Sequence, residues 1–182
     1  MAPRKIAVIV GSVRKDSINV KLAKALIKLM PNDLHGDLLQ ISDLPVFNQD
    51  LDQNPPEAVM RVKGQVTAAD ALLFVTPEHN RSMPTALKNV LDWVSRPYGK
   101  NLWAGKPAAI VGASIGTVGT AAAQQHLRNV LTYLDVPTLG QPEVFIHFTE
   151  GLIDDDGNIK NEATRKFLQT FMDRYTKWIA RF

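Results

Sequence analysis

A chain of 182 residues without a cysteine has room for a core of ordinary domain size, and it excludes disulfides, zinc–thiolate sites, iron–sulfur clusters and any thiol nucleophile. Its 45% hydrophobic and 21% charged residues are the balance of a folding globular chain rather than a disordered one. The net charge of +3 is dispersed, which argues against a nucleic-acid partner, and no apolar stretch approaches the roughly 20 residues that span a bilayer, so a cytoplasmic chain with no membrane insertion is expected.

Residues 5–10 (KIAVIV) form a short β-branched run ending at Gly11, as expected for a strand buried on both faces of a parallel sheet. The run is too short for a signal peptide. Ile18, Leu22, Leu26 and Leu29 then recur at helical spacing until Pro31. A weaker strand is expected over 37–41, followed by a polar, proline-bearing stretch (42–56) that reads as a functional loop able to cover a small substrate. Pro55 and Pro56 suit the first turn of a second helix ending near Ala69, and 71–76 reads as the third strand.

Pro84 suits the start of a third helix carrying Leu87, Val90, Leu91 and Val94 on one face. Residues 108–113 are the fourth strand. A glycine-bearing turn leads into a helix with Leu127, Val130, Leu131 and Leu134, which Pro137 stops, and a fifth strand is expected near 138–145. The chain closes with a helix bearing Phe167, Phe171, Tyr175, Trp178 and Phe182 at three- and four-residue spacings. Alternating strands and helices predict an α/β, three-layer, flavodoxin-like doubly wound fold, its five parallel strands in the order 2-1-3-4-5 within one domain, 1–182. Ligands of such sheets sit beyond the carboxyl ends of strands 1 and 3, which singles out the loops after Val10, Thr76 and Ala113.

The first loop, GSVRKDSIN (11–19), offers backbone N–H groups and a helix N-terminus to an anion. Ser12, Ser17 and Asn19 add neutral donors, and Arg14 adds a guanidinium suited to phosphate oxygens. Helix capping by Asp16 or Ser17 is the plainer alternative. The loop lacks the Gly-Lys-Ser/Thr of a triphosphate P-loop and has one glycine where a dinucleotide fingerprint has three, so a mononucleotide phosphate fits best. In the second loop, TPEHNRSMP (76–84), Glu78, Asn80 and the N–H groups around Arg81 suit the polar edge of a flavin, whose hydride chemistry needs no protein nucleophile. Turn and capping chemistry is again the alternative for Glu78 and Asn80. His79, His35, His126 and His147 show no metal spacing.

The third loop, SIGTVG (114–119), is flexible enough to approach a flat ring, and the positive end of the following helix would stabilise a reduced, anionic flavin. Residues 112–116, GASIG, also match the G-x-S-x-G nucleophile elbow, for which Ser114, Asp135 and His147 stand in hydrolase order. Against that reading, Asp135 ends the helix after Ser114 instead of following a later strand.

Together, GSVRKDSIN, LPVFNQDL, TPEHNRSMPTALKNVLDW, SRPYG and AGKPAAIVGASIGTVG resemble the NADPH-dependent FMN reductase family, the flavodoxin-like quinone, azo-dye and chromate reductases. The resemblance implies that Ser12, Arg14, Ser17, Ile18 and Asn19 hold the phosphate and ribityl chain of non-covalent FMN. It implies that Pro77, Glu78, His79, Asn80, Arg81 and Ser82 line the ring, with Ser114, Gly116 and Gly119 on its pyrimidine side. Asn48, Arg96 and Tyr98 would form a substrate rim, and Arg96, Tyr98 and Trp103 are candidate interface residues of a homodimer or homotetramer. Family members usually carry tyrosine where this chain has His79 and glycine where it has Thr120.

The implied activity is ping-pong: NADPH or NADH gives hydride to flavin N5, leaves, and a small acceptor such as a quinone, azo compound, chromate or ferric complex takes its place. No side chain acts as a catalytic acid or base, and no metal is implied. Arg81 and Arg96 are the candidates for contacting the extra phosphate of NADPH. A non-enzymatic FMN electron carrier is the principal alternative.

Overall fold

The computed structural model describes residues 3–182. Five parallel strands, β1 (Arg4–Val10), β2 (Leu34–Leu38), β3 (Ala71–Val75), β4 (Ala108–Ser114) and β5 (Val144–His147), form one sheet in the order β2-β1-β3-β4-β5. The helices are α1 (Ile18–Lys28), α2 (Glu57–Ala68), α3 (Thr85–Val94), α4 (Ala121–Tyr133) and α5 (Glu162–Ile179).

The alternation of side chains along each strand sorts the core into two halves. On one face Ile6, Val8 and Val10 of β1 pack with Leu22 and Leu26 of α1 and with Phe171 and Tyr175 of α5. On the other, Ala7 and Ile9 meet Val62 and Val66 of α2, Leu87 and Leu91 of α3, and Leu127 of α4. Burial of both faces is why β1, β3 and β4 read as unbroken apolar runs.

The two edge strands depart from expectation. β2 pairs with β1 from Leu34 opposite Arg4 to Leu38 opposite Val8, three residues earlier than the predicted span. Its residues are mostly solvent-facing, so the apolar signal of a strand is weak, whereas buried Leu39 and Ile41 belong to the chain leaving it. β5 begins at Val144; Gly140 and Pro142 break the predicted run from 138, and Thr138 contributes one isolated bridge to Ala108. In α5, Phe171 and Tyr175 are buried but Phe167 is exposed, as is Phe182 beyond the helix end.

The segment 42–56 is a strap, with no residue in the cleft described below. The Asn89 carboxamide donates to the Pro45 carbonyl and accepts from the Phe47 N–H, each at 2.8 Å. Trp93 Nε1 donates to the same carbonyl, and the Phe47 ring meets the Trp93 ring edge-on at 5.0 Å. Asp43 pairs with Arg61 of α2, and Asp52 pairs with Arg96. Lys63 donates to the Arg96 carbonyl at 2.7 Å, and burial lowers its ammonium pKa, with Asp52 opposing the shift.

Candidate functional site

A cleft of about 630 Å³ opens at the carboxyl ends of β1, β3 and β4, where the crossovers of a doubly wound sheet part. A second hollow, about 510 Å³ and lined by Arg4, Asp70, Gly105 and Lys106, lies at the opposite end of the sheet. Of the predicted residues, Ser12, Arg14, Ser17, Ile18, Asn19, Pro77, Glu78, His79 and Ser114 line the cleft. The structure adds Pro84, Thr85 and Ala86 from the start of α3 and Ile115 after β4. Pro84 was visible in sequence as a helix start, but that the same turn also walls the cleft depends on how α3 packs.

The loop after β1 supplies the anion-binding end. Ser17 caps α1, its hydroxyl accepting from the Val20 N–H at 3.3 Å, while the N–H groups of Ile18 and Asn19 have no partner among the described residues. Ser12 Oγ accepts from the Arg14 N–H at 3.4 Å, and the Arg14 guanidinium makes no ion pair among the described residues. These donors and the positive end of α1 suit a phosphate ester. Asn19 works differently, because its amide donates to the Ala113 carbonyl at 2.9 Å and accepts from the Ala113 N–H at 3.0 Å, tying α1 to β4. Its contribution to the cleft is mainly position.

The loop after β3 is a tight hairpin. His79 and Ser82 exchange backbone hydrogen bonds of 3.0 and 2.9 Å, with Asn80 at φ 50° and Arg81 at φ 64° between them. Positive φ at both central residues marks a mirror-image hairpin turn. Asn80, Arg81 and Ser82 consequently lie outside the cleft lining, and Ser82 Oγ sits 3.0 Å from His126 Nδ1. Glu78 also reaches α4: its Oε2 accepts from the Ala123 N–H at 3.0 Å. Both the turn and the capping alternatives are thus realised here.

In the loop after β4, Ser114 Oγ accepts from the Gly116 N–H at 3.1 Å. Gly116 and Gly119 do not line the cleft. Gly119 has φ 60°, and a Cβ there would fall 2.7 Å from the Phe145 backbone, so its glycine serves packing against β5. Thr120, the N-cap of α4, sits at φ 77° with its hydroxyl accepting from Gln124 Nε2 at 3.0 Å.

The hydrolase arrangement is overturned by topology. The Asp135 carbonyl accepts from the Gly105 N–H before β4 begins, while Ser114 is the last residue of β4. Seven strand residues, roughly 20 Å at about 3.3 Å each, separate the two ends. Of the predicted rim residues, Asn48 caps a short turn by accepting from the Asp50 N–H, Arg96 is held by Asp52, and Tyr98 projects into solvent, none of them lining the cleft. Trp103 is fully buried, its Nε1 donating to the Leu91 carbonyl at 3.1 Å, which rules it out as an interface residue.

A family model described as NADPH-dependent FMN reductase matches residues 4–151, which include every strand and loop of the cleft. The chain belongs to this family. Among its FMN reductase relatives is a protein named 2-hydroxy-1,4-benzoquinone reductase from Burkholderia sp, 54% identical over 175 residues and covering 96% of each chain. A quinone reductase of Pseudomonas putida is 46% identical, covering 96% of this chain and 94% of the relative. The solved structure of FerB, a flavoenzyme NAD(P)H:(acceptor) oxidoreductase from Paracoccus denitrificans, superposes with a TM-score of 0.93 at 46% identity over 98% of both chains. An FMN-dependent NADH-azoreductase from Bacillus anthracis in complex with FMN shares the fold at a TM-score of 0.63 and 15% identity, covering 94% of this chain and 99% of the other.

The cleft fits the cofactor of this FMN reductase family in its donor chemistry. Its α1 end offers free N–H groups and an unpaired guanidinium for a phosphate, and its other end is walled by Pro77, Pro84, Ala86 and Ile115, apolar surface for a flat ring.

Proposed function

We propose that this chain is an FMN-dependent NAD(P)H oxidoreductase that reduces quinones. The observation that carries the reading is the cleft itself: a phosphate-binding end at the start of α1 and an apolar end between the β3 and β4 loops, open on one side. FMN bound there supplies hydride acceptance from a nicotinamide and donation to the acceptor. Ser12, Arg14 and the N–H groups of Ile18 and Asn19 hold the phosphate, and Asn19 keeps α1 against β4 so that those donors stay aligned. Pro77, His79, Ala86 and Ile115 enclose the ring, while the Thr85 and Ala86 N–H groups at the uncapped start of α3 donate to its polar edge. Nicotinamide and acceptor use the remaining open face in turn, and no side chain is required as an acid or base.

The same proposal extends to chromate, azo compounds and ferric complexes as further acceptors, to residues 1–182 acting as one domain, and to a cytoplasmic setting where reduced nicotinamide nucleotides are abundant. Among the described residues no helix is long and apolar enough to cross a membrane. A homodimer or homotetramer is part of the proposal, supported by the exposure of Tyr98, Ile115 and Tyr133. With Arg96 committed to Asp52, Arg81, which is 73% exposed, is the stronger candidate for the extra phosphate of NADPH.

The deciding experiment is an anaerobic NADPH titration of protein incubated with FMN and freed of excess. Rapid bleaching of the visible flavin band, reversed by added quinone, is the expected result. A retained band that NADPH leaves unbleached overturns the enzyme reading in favour of an electron carrier, and failure to retain flavin overturns the cofactor assignment.

A further inference from the structure

The positive end of α4 has an acidic side chain set against it. Its N-cap, Thr120, makes no capping bond with its side chain, and the cap comes from another element: the Glu78 carboxylate of the β3–α3 loop accepts from the Ala123 N–H at 3.0 Å. The Glu78 side chain is 11% exposed and also lines the cleft. A helix N-terminus carries about half a positive charge, so one full carboxylate outweighs it. The only cation paired with Glu78 among the described residues is Arg81, at 3.5 Å and 73% exposed, where water and salt screen it. The sequence-based expectation that this helix end stabilises a reduced anionic flavin therefore has a carboxylate set against it.

We propose that Glu78 is a positioning residue with two separable effects on the bound flavin. Its hydrogen bond holds the start of α4 against the β3–α3 loop, keeping the two ring-side loops in register. Its charge makes that side of the cleft less hospitable to the reduced anion, lowering the flavin's reduction potential and so making the reduced enzyme a stronger donor. The Ser82–His126 contact, one helical turn further along α4, reinforces the docking. This inference rests on the FMN reading above.

Glu78→Gln and Glu78→Ala separate the two effects, because glutamine keeps an acceptor for the Ala123 N–H and removes the charge, whereas alanine removes both. The measurements are thermal melting of the flavin-free proteins, FMN dissociation constants, and the flavin midpoint potential by equilibration with a reference dye. For Glu78→Gln the expected result is a melting temperature and an FMN affinity within about twofold of the parent, with a midpoint potential shifted to more positive values. For Glu78→Ala a lowered melting temperature and an FMN affinity reduced about tenfold are expected. An unchanged or more negative potential in the glutamine variant overturns the charge assignment, and an alanine variant that melts and binds like the parent overturns the cap. The melting arm needs no flavin, so parent protein that fails to retain FMN counts against the cofactor reading alone.

Discussion

Asn19 spends its carboxamide on the backbone of β4, donating to one group of Ala113 and accepting from the other. Asn19→Ala leaves a buried carbonyl and a buried N–H without partners, at a cost of about 3 kcal/mol, which for a chain of this size lowers the melting temperature by roughly 6–12 °C. A calorimetric melt checks this, and a loss below a degree would show the clamp to be dispensable. Arg14 is the contrasting case, an arginine with no ion pair among the described residues at the mouth of the phosphate end. Charge-assisted bonds of this kind contribute about 1.5–3 kcal/mol, so Arg14→Ala is expected to weaken FMN binding roughly 10- to 100-fold. Turnover in flavin-saturated protein should change little; equal FMN affinity in the variant would remove Arg14 from the phosphate site. Both residue types were legible in the chain as polar groups in one loop, but their roles part only when β4 comes to lie beside α1.

At the scale of elements, the inner strands were readable because burial on both faces leaves a continuous apolar run, as in residues 6–10 and 71–75. The edges were not, since β2 faces solvent over most of its length and pairs on one side only. The stretch over 42–56 reads in sequence as a functional loop able to cover a small substrate, and its sequence does not show that Asn89, Trp93 and Arg61 bind its backbone and side chains. Asn89→Ala removes two of those bonds, at about 1 kcal/mol each. Limited proteolysis of the variant is expected to cut near the exposed Val46 at a concentration of protease that leaves the parent intact, and identical digestion patterns would mean the remaining contacts suffice.

At the scale of the whole molecule, Tyr175 links α5 to the sheet, its hydroxyl donating to the Leu72 carbonyl at 2.7 Å in a fully buried setting. Burial raises its pKa well above the ordinary value near 10. The folded state therefore keeps a proton that the unfolded chain gives up, so this contribution is complete below pH 10 and is lost as pH rises beyond it. Tyr175→Phe is expected to cost about 1 kcal/mol at neutral pH and to flatten the decline in stability above pH 10, which denaturant melts across that range would detect. A decline as steep as the parent's would assign it to other groups.

The chain alone determined the alternation of strands and helices, the order of the sheet and the three loops that meet at its carboxyl edge, because apolar runs, helical spacing and proline positions are local features. The tertiary structure decided which polar residue does what. Glu78 turns to α4, Asn19 to β4 and Arg96 to Asp52, while Asp135 and Ser114 end on opposite edges of the sheet. Each outcome depends on a partner far away in the chain or on the direction in which an element runs. A hydrogen-bonding side chain carries no mark in sequence of which distant backbone group folding will bring to it.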